Sequence, residues 1–138
     1  MIHLKPVGRV QSSLIDREHA PKQGDEGAPE AWLIFDDAYV PALSDVRCGT
    51  DILVLTWLHQ GNRETLRVHP RDDPRAPLTG VFSTRSQDRP NPIGIHRVRV
   101  LEITSPTELK VAHLEAFDGT PILDVKAVLD RNEERPGG

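Results

Sequence analysis

The run Gly80–Gly94 (GVFSTRSQDRPNPIG) gathers more side chains able to do chemistry than any other stretch of this chain. Arg85 and Arg89 are forked cations suited to a carboxylate or phosphate, and Ser83, Thr84, Ser86 and Gln87 add hydroxyls and an amide beside them. Pro90 and Pro92 fix φ, remove two backbone donors and bias the residues before them toward extended backbone. Asn91 is held between these prolines, and Gly94 follows where little else fits. Stiff backbone, cations and small hydroxyls together describe a site for an anionic or carboxylate-bearing ligand. The plainer alternative is a proline-rich surface turn.

A second constellation lies at Phe117–Lys126 (FDGTPILDVK). Asp118-Gly119 is a tight-turn dipeptide, and Thr120-Pro121 leads directly into an extended run. Asp124 and Lys126 alternate with Leu123 and Val125, so the two polar groups share one face of a strand. They form either a cross-face ion pair or a ligand contact, with Asp124 meeting a hydroxyl, amine or sulfonium and Lys126 steering it. Pro21-Lys22-Gln23-Gly24 is a weaker element, a substrate-facing loop or only a loop.

Other chemistries find little support. The six histidines stand at 3, 19, 59, 69, 96 and 113, with no pair at metal-ligand spacing, so no metal site is expected. No GxSxG or Cys/His nucleophile signature is present, and neither GxGxxG nor a P-loop occurs. The usual Rossmann route to a nucleotide-like cofactor is therefore excluded. Cys48, a lone cysteine, leaves no internal disulfide and is expected as a small buried or half-buried hydrophobe.

Charge is distributed unevenly. The 138 residues carry a net charge of −4, which disfavours a strongly basic nucleic-acid binder. Residues 63–100 nevertheless hold eight arginines (63, 67, 71, 75, 85, 89, 97 and 99) against four acids, between two acidic flanks. Such a cationic centre attracts a phosphate or carboxylate locally, unless its arginines are only solvated partners of neighbouring acids.

These side chains must be positioned by short elements, because 12 prolines and 10 glycines leave little room for long helices. Candidate strands are Val7–Ser12, Ala31–Phe35, Asp51–Leu58, Thr65–Val68, Gly80–Thr84, Ile95–Ile103, Glu108–Glu115 and Ile122–Leu129. They predict a mainly β, compact single-domain barrel with short helices. DILVLTWL (51–58) is nearly continuous in apolar residues and reads as a central strand. The alternation changes phase near Val100 and Leu101, which predicts a bulge or bend. Asp36–Val46 is the best helix candidate, capped by Asp36 or Asp37 and limited to a turn or two by Pro41. His19–Glu30 reads as a loop and residues 131–138 as a flexible tail, leaving 1–130 as the barrel. No apolar run is long enough for a membrane helix and no signal peptide is evident, so a cytoplasmic location is expected.

PVGRVQSSL, APKQG, GVFSTRSQDRPNPIGIHRV and DGTPILDVK, taken together, resemble the TsaA-like (TrmO-like) family of tRNA adenine-N6 methyltransferases. The likeness spans about Val7 to Val128. It implies a β-barrel that pairs as a homodimer and binds S-adenosylmethionine outside any Rossmann fold. The implied activity is methylation of N6-threonylcarbamoyladenosine next to the tRNA anticodon. On that basis Phe82, Thr84, Arg85, Ser86, Arg89, Asn91, Pro92, Ile93, Gly94, Leu123 and Asp124 are the cofactor-binding candidates. Phe82 would stack on adenine or face the sulfonium, while Arg85, Thr84 and Ser86 would hold the carboxylate. Asp124 is the catalytic candidate, and Lys22, Gln23, Arg63, Arg67, Arg71 and Lys126 are the RNA-facing ones. The chain departs from the family pattern at Ala127-Val128, where members usually carry Pro-Tyr, and a core barrel domain without the C-terminal extension of many bacterial members is expected. Two other readings keep the barrel: a methyltransferase with a different acceptor, and a non-catalytic binder of S-adenosylmethionine or RNA.

Overall fold

The short β-branched runs fold as eight strands, seen in a computed structural model that describes residues 1–15 and 29–129. They are β1 (Gly8–Gln11), β2 (Ala31–Phe35), β3 (Asp51–Trp57), β4 (Arg67–Val68), β5 (Thr79–Gly80), β6 (Ile93–Ser105), β7 (Glu108–Val111) and β8 (Pro121–Ala127). Six of them close an antiparallel barrel in the order β1-β2-β7-β6-β3-β8, and β4 and β5 pair as a separate two-stranded ribbon. Closure removes the free edges that so small a sheet would otherwise expose.

The barrel interior is filled by inward residues of alternating strands. Val10, Leu33, Val54, Val98, Val100, Leu109, Val111 and Ile122 are buried there, joined by Leu114 and Ala116 from the segment after β7. The long strand β6 serves two neighbours, with Ile93–Arg99 on β3 and Val100–Ser105 on β7. Its pairing with β7 slips between Val100 and Glu102, where the phase change in the sequence predicted a bend.

The central strand expected at 51–58 is present as Asp51–Trp57, with neighbours on both sides and alternating burial. One face of a barrel strand looks outward, so Leu53, Leu55 and Trp57 lie outside the core. Gly80–Thr84 is not a strand. Pairing stops at Gly80 and Val81–Ser83 turns as a 3₁₀ segment, because the Val81 carbonyl is taken by the Thr84 amide and hydroxyl. Glu108–Glu115 ends early at Val111, and His113 adopts a left-handed φ of 52°. The helix candidate is a 3₁₀ segment, Asp37–Leu43, with Pro41 inside it, and Asp36 at its start makes no side-chain cap. Cys48 is exposed, not buried. Lys22, Gln23, most of the His19–Glu30 loop and the 131–138 tail lie outside the described residues.

Candidate ligand site on the outer face of the barrel

Strand β3 lies between the two constellations, since its Thr56 pairs with Gly94 of β6 on one side and with Ile122 of β8 on the other. Leu55 pairs with Ile95 of β6 on one side and with Asp124 of β8 on the other. Cross-strand partners share a face, so Ile95, Leu55 and Asp124 form one outward row, with Ile95 and Asp124 about 10 Å apart at normal strand spacing. The next row holds Arg97, Leu53 and Lys126. A register shift opposite Leu55 and Thr56 leaves Leu123 as the extra residue of a bulge in β8. That bulge lets Ile122 and Val125 both point inward while Asp124 and Lys126 point out. Lys126 Nζ stands 3.9 Å from Asp124 Oδ2 in an exposed pair, and Asp124 Oδ1 accepts the Val125 amide at 2.9 Å.

The Gly80–Gly94 block is held from inside by its own polar groups. Thr84 Oγ1 donates to the Val81 carbonyl and accepts the Ser86 amide, and Ser86 Oγ accepts the Asp88 amide. Arg89 is half-buried and donates through one terminal nitrogen to the carbonyls of Val81 and Thr84. The chain between β3 and β4 straps the block down. Leu58 N donates to Pro92 O at 2.7 Å, and Asn62 N donates to Asp88 Oδ1 at 2.9 Å. Arg63 donates to Pro90 O at 2.7 Å and to Asn91 Oδ1 at 3.0 Å, with its guanidinium carbon 5.2 Å from the Trp57 ring centroid. The stiffness anticipated from Pro90 and Pro92 thus has a second source in residues 58–63.

Most of the cationic centre is committed within the protein. Arg97 and Arg99 both reach Asp51 at 2.9 Å and hold its carboxyl below the usual range, Arg99 contributing more than Arg97. Arg75 pairs with Asp73. Arg71, on the ribbon between β4 and β5, has a left-handed φ of 59°. Of the eight arginines, Arg67 and Arg85 alone have no hydrogen bond or ion pair among the described residues. Arg85 is exposed in the same loop as Phe82, which is 87% exposed. Ile93 and Asn91 are exposed beside them, whereas Pro92 and Gly94 are buried.

Sequence reasoning missed a polar pair inside the barrel rim. Thr56 is fully buried, and its Oγ1 lies 2.8 Å from His96 Nε2. Burial pushes the His96 pKa down from 6.5 to about 4, with the Arg85 charge acting in the same direction, so the imidazole is neutral at pH 7. Gly94 is explained by this pair. A Cβ there would stand 2.6 Å from Thr56 Oγ1 and 2.8 Å from His96 Nε2. The signal was present in the sequence: Thr56 and His96 break two otherwise apolar inward series, Ile52-Val54-Thr56 and His96-Val98-Val100. Among the described residues no three His, Cys, Asp or Glu side chains gather as metal ligands, and no helix is long and apolar enough to cross a membrane.

A closed antiparallel barrel with a strapped, arginine-bearing loop on its outer face is a ligand-binding scaffold that owes nothing to a βαβ unit. The chain belongs to the family described as the tRNA-methyltransferase O N-terminal domain, whose model matches residues 9–133. It is 39% identical over 125 residues to a "Probable S-adenosyl-L-methionine-binding protein" of Methanothermobacter thermautotrophicus, covering 91% of this chain and 88% of that protein. It is 38% identical over 123 residues to an "S-adenosyl-L-methionine-binding protein" of Archaeoglobus fulgidus, covering 89% and 86%. The crystal structure of TrmO from Pseudomonas aeruginosa superposes with a TM-score of 0.74 at 26% identity, covering the whole of this chain. The match takes in only 61% of that longer TrmO chain.

Proposed function

We propose that this chain is an S-adenosylmethionine-dependent methyltransferase that methylates N6 of N6-threonylcarbamoyladenosine beside the tRNA anticodon. The observation that carries the reading is that Gly94 and Ile122, one from each constellation, flank Thr56 of β3, within a member of this family. S-adenosylmethionine is the cofactor, and the residues present suit it. Arg85 offers an uncommitted cation for its carboxylate, and Phe82 offers an exposed ring for adenine or the sulfonium. Thr84 and Arg89 act indirectly, holding the loop backbone in shape. Ser86 keeps its hydroxyl proton for a ligand, and we assign Asn91, Pro92, Ile93, Gly94 and Leu123 to the same site.

When bound, this cofactor supplies a methyl group already activated on a sulfonium. The protein's task is then to align the acceptor nitrogen and exclude water. In this reading Asp124 accepts a hydrogen bond from that nitrogen, with Lys126 Nζ beside it at 3.9 Å. Arg67 and Arg71, on the ribbon that leads into the block, face RNA phosphates together with Lys22 and Gln23. Such a role places the chain in the cytoplasm.

A homodimer accompanies this reading. Leu53, Leu55 and Trp57 are only half-buried on the outward face, and Ile93 and Ile95 are 40% and 41% exposed beside them. Apolar residues collected on one face call for a cover, and a second copy supplies it along with a wall for the site. Ile95→Glu should convert a dimer to a monomer in sedimentation velocity, with the fold retained. A wild-type protein that sediments as a monomer sinks this part of the reading.

The deciding experiment is titration with S-adenosylmethionine followed by incubation with tRNA carrying threonylcarbamoyladenosine. Binding should weaken at least tenfold in Arg85→Ala, the order expected for loss of a charge-assisted hydrogen bond. The tRNA should gain one methyl, and Asp124→Ala should slow that transfer more than it weakens cofactor binding. No binding at near-millimolar cofactor overturns the function. Binding without methyl gain on this tRNA favours a different acceptor, the reading to which Ala127-Val128 points.

A further inference from the structure

Asn91 is an ambiguous ligand, since its carboxamide presents either an acceptor oxygen or a donor nitrogen depending on how it is turned. Its neighbour removes the ambiguity. Arg63 can only donate, and its terminal nitrogen lies 3.0 Å from the Asn91 side chain, so the atom facing it must be the carbonyl oxygen. Arg63 is itself fixed at three points: the Pro90 carbonyl, the Asn91 oxygen and the face of Trp57. Pro90 and Pro92 hold the Asn91 backbone from either side.

We infer that Arg63 is a positioning residue that locks the Asn91 carboxamide with its oxygen toward Arg63, so that Asn91 meets the ligand as a hydrogen-bond donor. The ligand atom at this point is therefore an acceptor, such as a carboxylate oxygen, a ring nitrogen or a ribose oxygen. The donor role rests on the proposed cofactor site, while the lock stands on the geometry alone. Arg63 is thereby moved from the RNA-facing set to the support of the cofactor loop.

Asn91→Asp separates this inference from a purely structural role. An aspartate at 91 still accepts from Arg63, and does so with a charge, but it has no donor to offer. The variant should melt no lower than wild type and bind S-adenosylmethionine at least tenfold more weakly. Arg63→Ala should weaken binding several-fold, and Arg63→Lys should not restore it, because an ammonium cannot reproduce the fork over Trp57. In nitrogen-edited proton spectra of the uncomplexed protein, the Asn91 side-chain amide pair should move in Arg63→Ala. Cofactor affinity unchanged in Asn91→Asp overturns the donor role, and an unmoved amide pair in Arg63→Ala overturns the lock. If wild-type protein binds no S-adenosylmethionine, the proposed function and the donor role fall together, and the amide spectrum still decides the lock.

Discussion

Gly61→Ala should lower the stability of the protein by about 2–3 kcal/mol and weaken cofactor binding in the same variant. A Cβ at this position would stand 2.3 Å from the Gln87 carbonyl oxygen, 3.1 Å from its carbonyl carbon and 3.0 Å from Pro92 Cβ. Two of these atoms are backbone and the third belongs to a rigid ring, so no flexible side-chain end can swing aside. Either the strap or the Gly80–Gly94 block must lift. Lifting the strap strains the Leu58–Pro92 and Asn62–Asp88 hydrogen bonds and the Arg63 contacts around Asn91 together. For a chain of this length the loss corresponds to a melting temperature lower by roughly 5–10 °C. Gly80→Ala is the matching control, because its backbone is ordinary and a Cβ there meets nothing within 4 Å. Scanning calorimetry of the two variants, with a cofactor titration at a temperature where both are folded, checks the prediction. Equal melting temperatures would show that the strap is dispensable.

The contrast between these glycines shows why part of the site was legible in sequence and part was not. Proline dihedrals, strand alternation and the Asp-x-Lys spacing are local, and they put Asp124 and Lys126 on one outward face and most strands within a residue or two. The β6 bend near Val100 is local as well, since a phase change in alternation announces it. What joins the site is not local. Leu55 stands between Ile95 and Asp124 only because β3 pairs with both β6 and β8, and no spacing within one strand encodes that order. The same holds for Arg63. A cation in an acidic-to-basic transition reads as a phosphate contact until the fold sets it against Pro90 and Asn91. DILVLTWL reads correctly as a central strand, since it pairs on both sides, and its outward leucines and tryptophan lie on the proposed ligand and subunit surface.

Acid should destabilise this protein through His96 in a window above the one in which Asp51 and Asp73 titrate. The imidazole is held neutral by burial, with a pKa near 4 in the folded chain against 6.5 ordinarily. Between those values the unfolded chain takes up a proton that the folded chain refuses, so stability falls as pH falls. The contribution is fully present above about pH 6.5 and is lost progressively toward pH 4, amounting to up to about 3 kcal/mol. Asp51 and Asp73 have lowered pKa values, held down by their arginine partners, so their contributions disappear at lower pH than this window. His96→Gln should remove the effect, since an amide can keep a hydrogen bond to Thr56 Oγ1 without a titrating group. Denaturant unfolding at pH 7.5 and pH 4.5 should therefore show a clear drop for wild type and a much smaller one for His96→Gln. If the two proteins lose equal stability, the Thr56–His96 pair is not the acid-sensitive element of the barrel rim. A smaller loss in the variant would tie the rim beneath Arg85 and Gly94 directly to the stability of the fold that carries the site.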